Sequence, residues 1–377
     1  MIPFNKPYLH GRELVYIAQS VASGKISGDG IFSKKCHTFL ESRYGFLKTL
    51  LTTSCTDALE MSAILLDIKF GDEVILPSFT FVSTANAFAL RGAKLIFADS
   101  TKQHPNIDAN HIEELITKNT RAIVVVHYAG MACDMKKICT IAALYDIAVI
   151  EDAAQAIDSN YYGKPLGGIG TFGTFSFHET KNIISGEGGA LIINNAKYIA
   201  RAEIIREKGT NRSAFFRGEV DKYNWVDIGS SFLPADTISA YLFAQLEEID
   251  NIQKKRISLW NNYYRLLQPY AQASFFELPH IPDGASNNAH MFYLVCNTQD
   301  DRSRLIKHLN EYGIHAVFHY QPLHSSSYFS GKYHGRDLIN CNRFSNCLVR
   351  LPLYFEMTND QVQLICELIS CFYQKNT

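Results

Sequence analysis

A lysine followed by a glycine-rich turn is the first feature of this sequence that can do covalent chemistry. Lys181 lies in Ser176-Phe177-His178-Glu179-Thr180-Lys181-Asn182, at the end of a short apolar run, and Gly186-Glu187-Gly188-Gly189 follows. A lysine amine can form a Schiff base with a carbonyl compound when its surroundings activate it. Most lysines are simply solvated, so the segment indicates either a reactive amine or an ordinary surface residue.

Hydroxyl side chains cluster in Thr52-Thr53-Ser54-Cys55-Thr56-Asp57-Ala58, where a predicted strand ends and a helix begins. The free N–H groups at a helix N-terminus are a ready site for phosphate. The same residues are typical of a Ser/Thr N-cap, and Asp57 favours that alternative because a carboxylate there would repel a phosphate. The segment therefore predicts a phosphate site or a plain helix cap.

Two adjacent acids end the apolar run Val149-Ile150-Glu151-Asp152-Ala153-Ala154-Gln155. Ligands of open α/β sheets bind beyond the carboxyl ends of the strands, so an acid at this point is placed to contact a cofactor. Many strands also end in aspartate only to cap the following helix.

Aromatic and histidine residues recur in three further segments, where core packing is the alternative to ligand contact: Pro77-Ser78-Phe79-Thr80-Phe81, His127-Tyr128 and His319-Tyr320-Gln321-Pro322-Leu323-His324.

The elements that must position these side chains alternate between strands and helices. The predicted strands are residues 74–76, 95–97, 122–126, 147–150, 174–177 and 190–193, and several of them are continuously apolar. The helices predicted between them are residues 57–66, 83–90, 112–117 and 136–144. Continuous apolar runs are typical of parallel strands buried on both faces, so the pattern predicts an α/β fold.

After residue 229 the pattern changes. Residues 236–270 predict one long helix or two, followed by strands at 291–295 and 314–318 and helices at 302–312 and 360–373. We therefore expect a large α/β domain with an N-terminal arm over residues 1–248. A smaller α+β domain is expected over residues 249–377.

Composition excludes several classes of function. Lys and Arg number 36 against 37 Asp and Glu, for a net charge of -1, so there is no electrostatic footprint for nucleic acid or an anionic membrane. The N-terminus does not have the pattern of a signal peptide, and no apolar run is long enough to span a membrane. Nine scattered cysteines without a C-x-x-C pair indicate reduced thiols in a cytoplasmic protein and predict no metal site.

In order and spacing, these segments resemble the fold type I aminotransferases, which use pyridoxal 5'-phosphate. Within them the chain resembles the DegT/StrS-type nucleotide-sugar aminotransferases over residues 3–368. The most specific strings are Met1-Ile2-Pro3-Phe4-Asn5, Ser78-Phe79-Thr80-Phe81-Val82-Ser83-Thr84-Ala85-Asn86, Phe177-His178-Glu179-Thr180-Lys181-Asn182 and Arg206-Glu207-Lys208-Gly209-Thr210-Asn211-Arg212. The resemblance implies a mostly parallel seven-stranded sheet in the large, cofactor-binding domain.

The resemblance also implies a role for each candidate residue. Lys181 would form the Schiff base and shuttle a proton, and Asp152 would pair with the pyridine nitrogen of the cofactor. The rest of the cofactor site would be Phe81 stacked on the ring, Gln155 on the ring hydroxyl, and Cys55, Thr56 and Ser176 at the phosphate. The implied substrate residues are His178, Arg212, His319, Tyr320 and His324.

A homodimer with shared active sites is likewise implied by the resemblance. Much of the family carries a Gly-x-Asn-Tyr-Arg segment whose Asn reaches the cofactor phosphate of the partner subunit. Here the matching stretch is Gly229-Ser230-Ser231-Phe232-Leu233, with Ser231 in place of Asn. Ser231 is thus a predicted cofactor contact, but we do not expect it to make the contact that Asn makes.

The implied reaction moves an amino group from L-glutamate to the 4-keto position of dTDP-4-keto-6-deoxyglucose, giving dTDP-4-amino-4,6-dideoxygalactose for a cell-surface polysaccharide such as enterobacterial common antigen. The alternatives are a gluco-configured 4-amino product and a 3-keto sugar.

A sugar dehydratase of the same family would carry His in place of Lys181. A dehydrogenase would need G-x-G-x-x-G at the first helix, where residues 53–57 hold no glycine. A non-catalytic regulator would not need the Lys181, Asp152 and Gln155 set.

Overall fold

The computed structural model describes residues 1–374, and its main feature is a seven-stranded sheet. The strands are β1 (Lys48–Thr52), β2 (Glu73–Pro77), β3 (Lys94–Ala98), β4 (Thr120–Val126) and β5 (Ala148–Asp152), then β8 (Phe172–Ser176) and β9 (Gly189–Ile193), with the small hairpin β6 (Asn160–Tyr161) and β7 (Lys164–Pro165) between. The order across the sheet is β1-β9-β8-β5-β4-β2-β3. Only β9 runs against its neighbours, so the predicted α/β fold with a mostly parallel seven-stranded sheet is confirmed.

Continuous apolar strands arise here because both faces of the sheet are covered. In β2, Val74 and Leu76 contribute to one buried cluster, whereas Ile75 between them contributes to another on the opposite face. β4 alternates in the same way, with Val124 facing the first cluster and Ile123 the second. Because successive strand side chains point to opposite faces, a strand covered on both sides must be apolar at every position.

Thirteen α-helices lie within the described residues. Those around the large sheet are α1 (Arg12–Ala22), α2 (Ile31–Tyr44), α3 (Cys55–Leu65), α4 (Val82–Ala89), α5 (Ile112–Leu115), α6 (Met135–Leu144), α7 (Ile199–Arg206), α8 (Arg212–Phe216) and α9 (Asp236–Glu247). The others are α10 (Ile249–Gln272), α11 (Gln299–Glu311), α12 (Ile339–Cys347) and α13 (Asn359–Gln374). The pattern at residues 236–270 thus forms two helices, α9 and α10, which meet at Glu248.

A second sheet is formed by β10 (Phe276–Glu277), β11 (Phe292–Cys296), β12 (Val317–Phe318) and β13 (Leu348–Leu351). Its order is β10-β11-β13-β12 and every pairing is antiparallel. The strand predicted at residues 314–318 is shorter than expected, because Ile314 instead forms a parallel bridge with Ile2 of the N-terminal arm. The domain boundary at residues 248 and 249 stays a prediction.

Every helix among residues 1–374 is either too short or too polar to span a bilayer. No group of three or more His, Cys, Asp or Glu side chains in the same residues is arranged to hold a metal ion.

Candidate active site

The carboxyl ends of β1, β2, β4, β5 and β8 open into one cleft of about 760 Å³. The second sheet closes the opposite wall, because Phe318, Arg350 and Leu351 line the same cleft. Ten of the residues predicted for the site line this cleft: Cys55, Thr56, Phe81, Asp152, Gln155, Ser176, His178, Lys181, His319 and Tyr320. Residues that lie as far apart in the sequence as Phe4 and Leu353 therefore share one space.

Three predicted site residues lie outside the cleft of the single chain. Arg212 is exposed on α8 and forms an ion pair with Glu207 at 3.2 Å. Ser231 is also exposed and forms an antiparallel bridge with Glu207. His324 is buried, with its Nδ1 atom 2.7 Å from the hydroxyl of Ser78. The roles of these three residues in the site stay predictions.

Asp152, the last residue of β5, is a buried carboxylate at the floor of the cleft. Thr84 donates a hydrogen bond of 2.7 Å to one carboxylate oxygen, and the backbone N–H of Ala154 donates one of 3.2 Å to the other. Burial raises the pKa of Asp152, although these two donors and the nearby Lys181 act against that shift. A cation bound beside Asp152 would relieve the cost of burying its charge.

Glu151 faces away from the cleft, so the two neighbouring acids have different environments. Its carboxylate accepts hydrogen bonds from the backbone N–H groups of Gly167, Ile169 and Gly170 at 2.8, 2.7 and 2.6 Å. His127 lies 2.9 Å away through its Nε2 atom. Glu151 therefore satisfies buried backbone groups, and only Asp152 of the pair faces the cleft.

Lys181 lies in the turn that joins β8 to β9. Its backbone N–H donates to the carbonyl of His178 at 2.9 Å. Gly186 and Gly188, with φ of 82° and 157°, turn the chain back toward β9. Burial lowers the pKa of the Lys181 amine, while nearby Cys55 and Asp152 act in the opposite direction. A lowered pKa increases the share of neutral amine, the form that reacts as a nucleophile.

The first turn of α3 serves both as a capped helix start and as a wall of the cleft. Ser54 is the N-cap, and its hydroxyl accepts from the N–H of Asp57 at 3.1 Å. Cys55 and Thr56 line the cleft, and the Asp57 carboxylate is engaged by the hydroxyl of Thr53. A Cβ at Gly189 would lie only 2.4 Å from the backbone nitrogen of Cys55, so glycine is what allows β9 to approach this turn.

These donors fit pyridoxal 5'-phosphate, the cofactor that the resemblance implies. The turn of α3 offers backbone donors for a phosphate, and Asp152 offers a buried carboxylate for a protonated ring nitrogen. Lys181 offers an amine for the aldehyde, and the half-exposed ring of Phe81 offers a flat apolar surface. The phosphate donors, the carboxylate and the amine all belong to one cleft, as the different ends of this cofactor require.

Polar and aromatic side chains form the wall opposite α3. Gln155 accepts from the N–H of Ala129 at 2.6 Å, and its amide donates to the Tyr320 hydroxyl at 3.2 Å. The rings of His319 and Tyr320 stack with centroids 3.5 Å apart, and His319 Nδ1 lies 2.7 Å from the Tyr128 hydroxyl. Burial lowers the pKa of His319, so this wall carries neutral hydrogen-bonding groups.

Among the cleft residues to which the sequence analysis gave no role are Thr84, His290 and Arg350. Thr84 lies inside a string quoted for the resemblance, but it received no role. Arg350 stacks on the ring of Phe4 at 4.4 Å, and its buried Nε has no hydrogen-bond partner among the described residues. A charged residue within the apolar run Leu348-Val349-Arg350-Leu351 was the signal that could have identified it.

Comparisons with known proteins agree with this geometry. A sequence model described as the DegT/DnrJ/EryC1/StrS aminotransferase family matches residues 7–370. GDP-perosamine synthase of Escherichia coli O157:H7 is 30% identical over 377 residues, covering 99% of this chain and 98% of the relative. Spore coat polysaccharide biosynthesis protein SpsC of Bacillus subtilis is 29% identical over 380 residues, covering 98% and 96%. The crystal structure of the aminotransferase TlmJ from Streptoalloteichus hindustanus has a TM-score of 0.91 at 25% identity, covering 100% and 99%.

We predict that Asp152→Asn retains the fold and binds pyridoxal phosphate but loses most of its activity. A neutral amide cannot stabilise a protonated ring nitrogen, and each pKa unit lost at that nitrogen is worth about 1.4 kcal/mol. Circular dichroism, cofactor titration and turnover would be measured together. Glu151→Gln is the control, because we expect it to lower the melting temperature before it lowers the activity. Full activity in Asp152→Asn would reduce Asp152 to a structural residue.

Proposed function

Because the chain belongs to the DegT/DnrJ/EryC1/StrS aminotransferase family, we propose that it aminates position 4 of dTDP-4-keto-6-deoxyglucose with L-glutamate as the donor. Its broader class is that of the family's sugar aminotransferases, which depend on pyridoxal phosphate. The proposed product is dTDP-4-amino-4,6-dideoxygalactose. The observation that carries the proposal is the single cleft that holds Lys181, Asp152 and the first turn of α3.

Pyridoxal phosphate, when bound, supplies an electron sink that lets the carbon bearing the amino group lose a proton. In the proposal, Lys181 would hold the aldehyde carbon of the cofactor and, once released from it, would carry the proton from the substrate carbon. Asp152 would keep the ring nitrogen protonated, and Thr84 holds the Asp152 carboxylate in place through its 2.7 Å hydrogen bond. Positioned proton transfer of the kind assigned to Lys181 contributes roughly 10²–10⁴-fold to the rate.

The remaining cofactor contacts are proposed from side chains on the same walls. Phe81 would stack on the ring, and Gln155 would approach the ring hydroxyl. Cys55 and Thr56 would bind the phosphate through α3, with Ser176 at the end of β8. Thr56 is already oriented, because its hydroxyl lies 2.8 Å from that of Ser83.

The substrate assignment has support from the composition of the cleft and from the relatives. A sugar nucleotide brings a diphosphate and several hydroxyls, and His178, His319, Tyr320 and Arg350 offer polar groups to them. Arg350 also offers a guanidinium without an acidic partner in residues 1–374, which suits the carboxylate of an amino-acid donor. The two relatives are named for a GDP-linked amino sugar and for spore coat polysaccharide biosynthesis. The name of GDP-perosamine synthase favours a GDP-linked keto sugar as the second candidate for the substrate.

A homodimer with shared active sites is part of the proposal. Residues 209–231 carry large apolar side chains that are exposed in the single chain, including Trp225 at 82% and Phe216 at 70% exposure. An exposed apolar surface of this kind usually marks an interaction site. We propose that this segment packs on a partner subunit and brings Arg212 and Ser231 to the partner's cleft.

Lys181→Ala should fold normally but turn over at least ~10²-fold more slowly, the low end of the loss expected for a general acid–base residue. Its visible cofactor absorbance should differ from that of the wild type, and borohydride should leave no cofactor covalently attached to the protein, because no lysine adduct is available to reduce. Lys164→Ala, an exposed lysine outside the cleft, is the control and should behave as the wild type. Near-normal turnover in Lys181→Ala would remove the basis of the proposal.

Purified enzyme with L-glutamate should convert dTDP-4-keto-6-deoxyglucose to a product with an axial amine at carbon 4, as assigned by NMR. The corresponding GDP-linked 4-keto-6-deoxy sugar and the dTDP-linked 3-keto isomer should be poorer substrates in parallel reactions. An equatorial amine would replace the galacto assignment with gluco. Amination only of the GDP-linked sugar or only at carbon 3 would refute the proposed substrate while leaving the aminotransferase class intact.

Sedimentation should show a dimer at assay concentrations, and Trp225→Asp should weaken it and lower activity in parallel. The charge would be placed in an apolar contact, where an unpaired carboxylate is costly. Phe70→Asp is the matched control, because Phe70 is 91% exposed in a turn far from residues 209–231 in the sequence. A fully active monomer would contradict the shared-site proposal.

A further inference from the structure

A buried polar network begins at Asn182, the residue after Lys181, and the mechanism proposed above does not use it. Asn182 is 5% exposed, and its amide NH₂ donates to Gln253 Oε1 at 2.8 Å and to the backbone carbonyl of Asn288 at 2.9 Å. The Nδ1 atom of His290 lies 2.9 Å from Asn182 Oδ1. The network thus joins the Lys181 turn to α10 and to the segment that leads into β11.

The network fixes the tautomer of His290. The carbonyl of Asn288 can only accept a hydrogen bond, so the NH₂ group of Asn182 must face it. The Oδ1 atom of Asn182 then faces His290 and can only accept, so His290 Nδ1 must carry the proton. In a neutral imidazole the other nitrogen, Nε2, is then an acceptor with a free lone pair.

His290 lines the same cleft as Lys181, and because Nδ1 is turned toward Asn182, Nε2 is the nitrogen left for the cleft. Burial lowers the pKa of His290 well below its usual range. The positive charges of Lys181, Arg256 and Arg350 lower it further. The fourth titratable group that faces it is His319, whose pKa is also lowered. None of these four groups is a carboxylate, so none stabilises a protonated His290.

We propose that His290 takes part in amino transfer by accepting, at Nε2, a hydrogen bond from the free amino group of Lys181. Asn182 is then a positioning residue that holds the required tautomer. The inference rests on the proposed role of Lys181 as the group that carries the proton. An acceptor that holds one N–H of the lysine also orients the nitrogen lone pair, and the lone pair must point at the substrate carbon to take its proton.

Protonation of His290 would abolish this role, because an imidazolium has two donors and no acceptor. It would also add a cation beside Lys181, Arg256 and Arg350. The proposal therefore requires that the enzyme lose activity as His290 becomes protonated. In the wild type that loss falls at a pH well below the ordinary range of histidine.

Asn182→Asp tests this requirement through a pH profile. A carboxylate at residue 182 accepts the same hydrogen bond but stabilises the imidazolium, so the pKa of His290 rises. The acidic limb of kcat should move to higher pH by about one unit or more, with activity recovering above it. An unshifted limb with a uniform loss at every pH would mean that Asn182 is only structural and would overturn the proposal.

Two further measurements keep the test independent of that variant. In protein with ¹⁵N-labelled histidine and no cofactor, the His290 signal, identified by its loss in His290→Gln, should show a proton on Nδ1 and none on Nε2. The opposite tautomer would refute the proposal whatever the activity.

His290→Gln should retain more activity than His290→Leu, because its amide oxygen can replace Nε2 as an acceptor. Equal loss in both variants would argue against an acceptor role.

His280→Gln is the control, since His280 is exposed and lies outside the cleft. Lys181→Ala distinguishes failure of the proposed function from failure of the inference about His290. If Lys181→Ala were active, the proposed function would fail together with this inference. If Lys181→Ala is inactive but Asn182→Asp keeps the wild-type limb, only the inference about His290 fails.

Discussion

The alternation of side chains at the end of β5 is the constraint on which the rest of the site depends. Glu151 points into the protein and Asp152 points into the cleft, because successive residues of a strand face opposite sides. Glu151 accepts three backbone hydrogen bonds from residues 167–170, and these residues lead directly into β8. Lys181 follows β8. Glu151 therefore helps to position β8 and, with it, the start of the turn that carries Lys181. Asp152 supplies a negative charge close to Lys181.

Close contacts between backbones impose the second constraint. Gly173 of β8 leaves no room for a side chain, since a Cβ there would lie 2.1 Å from the carbonyl oxygen of Gly167. Gly189 has the same role between β9 and the first turn of α3. These two glycines bring residues 167–170, the strands β8 and β9, and the first turn of α3 into one compact unit. The sequence showed the glycine-rich turn but not these two contacts, because each depends on a segment distant in the chain.

Local patterns predicted most of the large sheet. Runs such as residues 74–76 and 122–126 are apolar throughout because both faces are covered, and this is visible in the sequence alone. The reversed direction of β9 is not visible, since a buried antiparallel strand has the same composition as a parallel one. The strand predicted at residues 314–318 was too long because Ile314 pairs with Ile2, a partner that no local pattern reveals. Helices α1 and α2 precede the region where strands and helices alternate, and they were not predicted.

The distribution of charge in the cleft explains which site residues the sequence could suggest and which it could not. Lys181, Asp152 and the α3 turn stand in local motifs with known chemistry, whereas His290 and Arg350 gain meaning only from their surroundings. Burial and the charges of Lys181 and Arg350 lower the pKa of both His290 and His319. Each added cation in a buried cleft costs free energy, so these two histidines stay neutral and Arg350 is the cation offered to a ligand. An anionic substrate group would find a positive charge at Arg350, while His290 contributes direction through the single tautomer that Asn182 fixes.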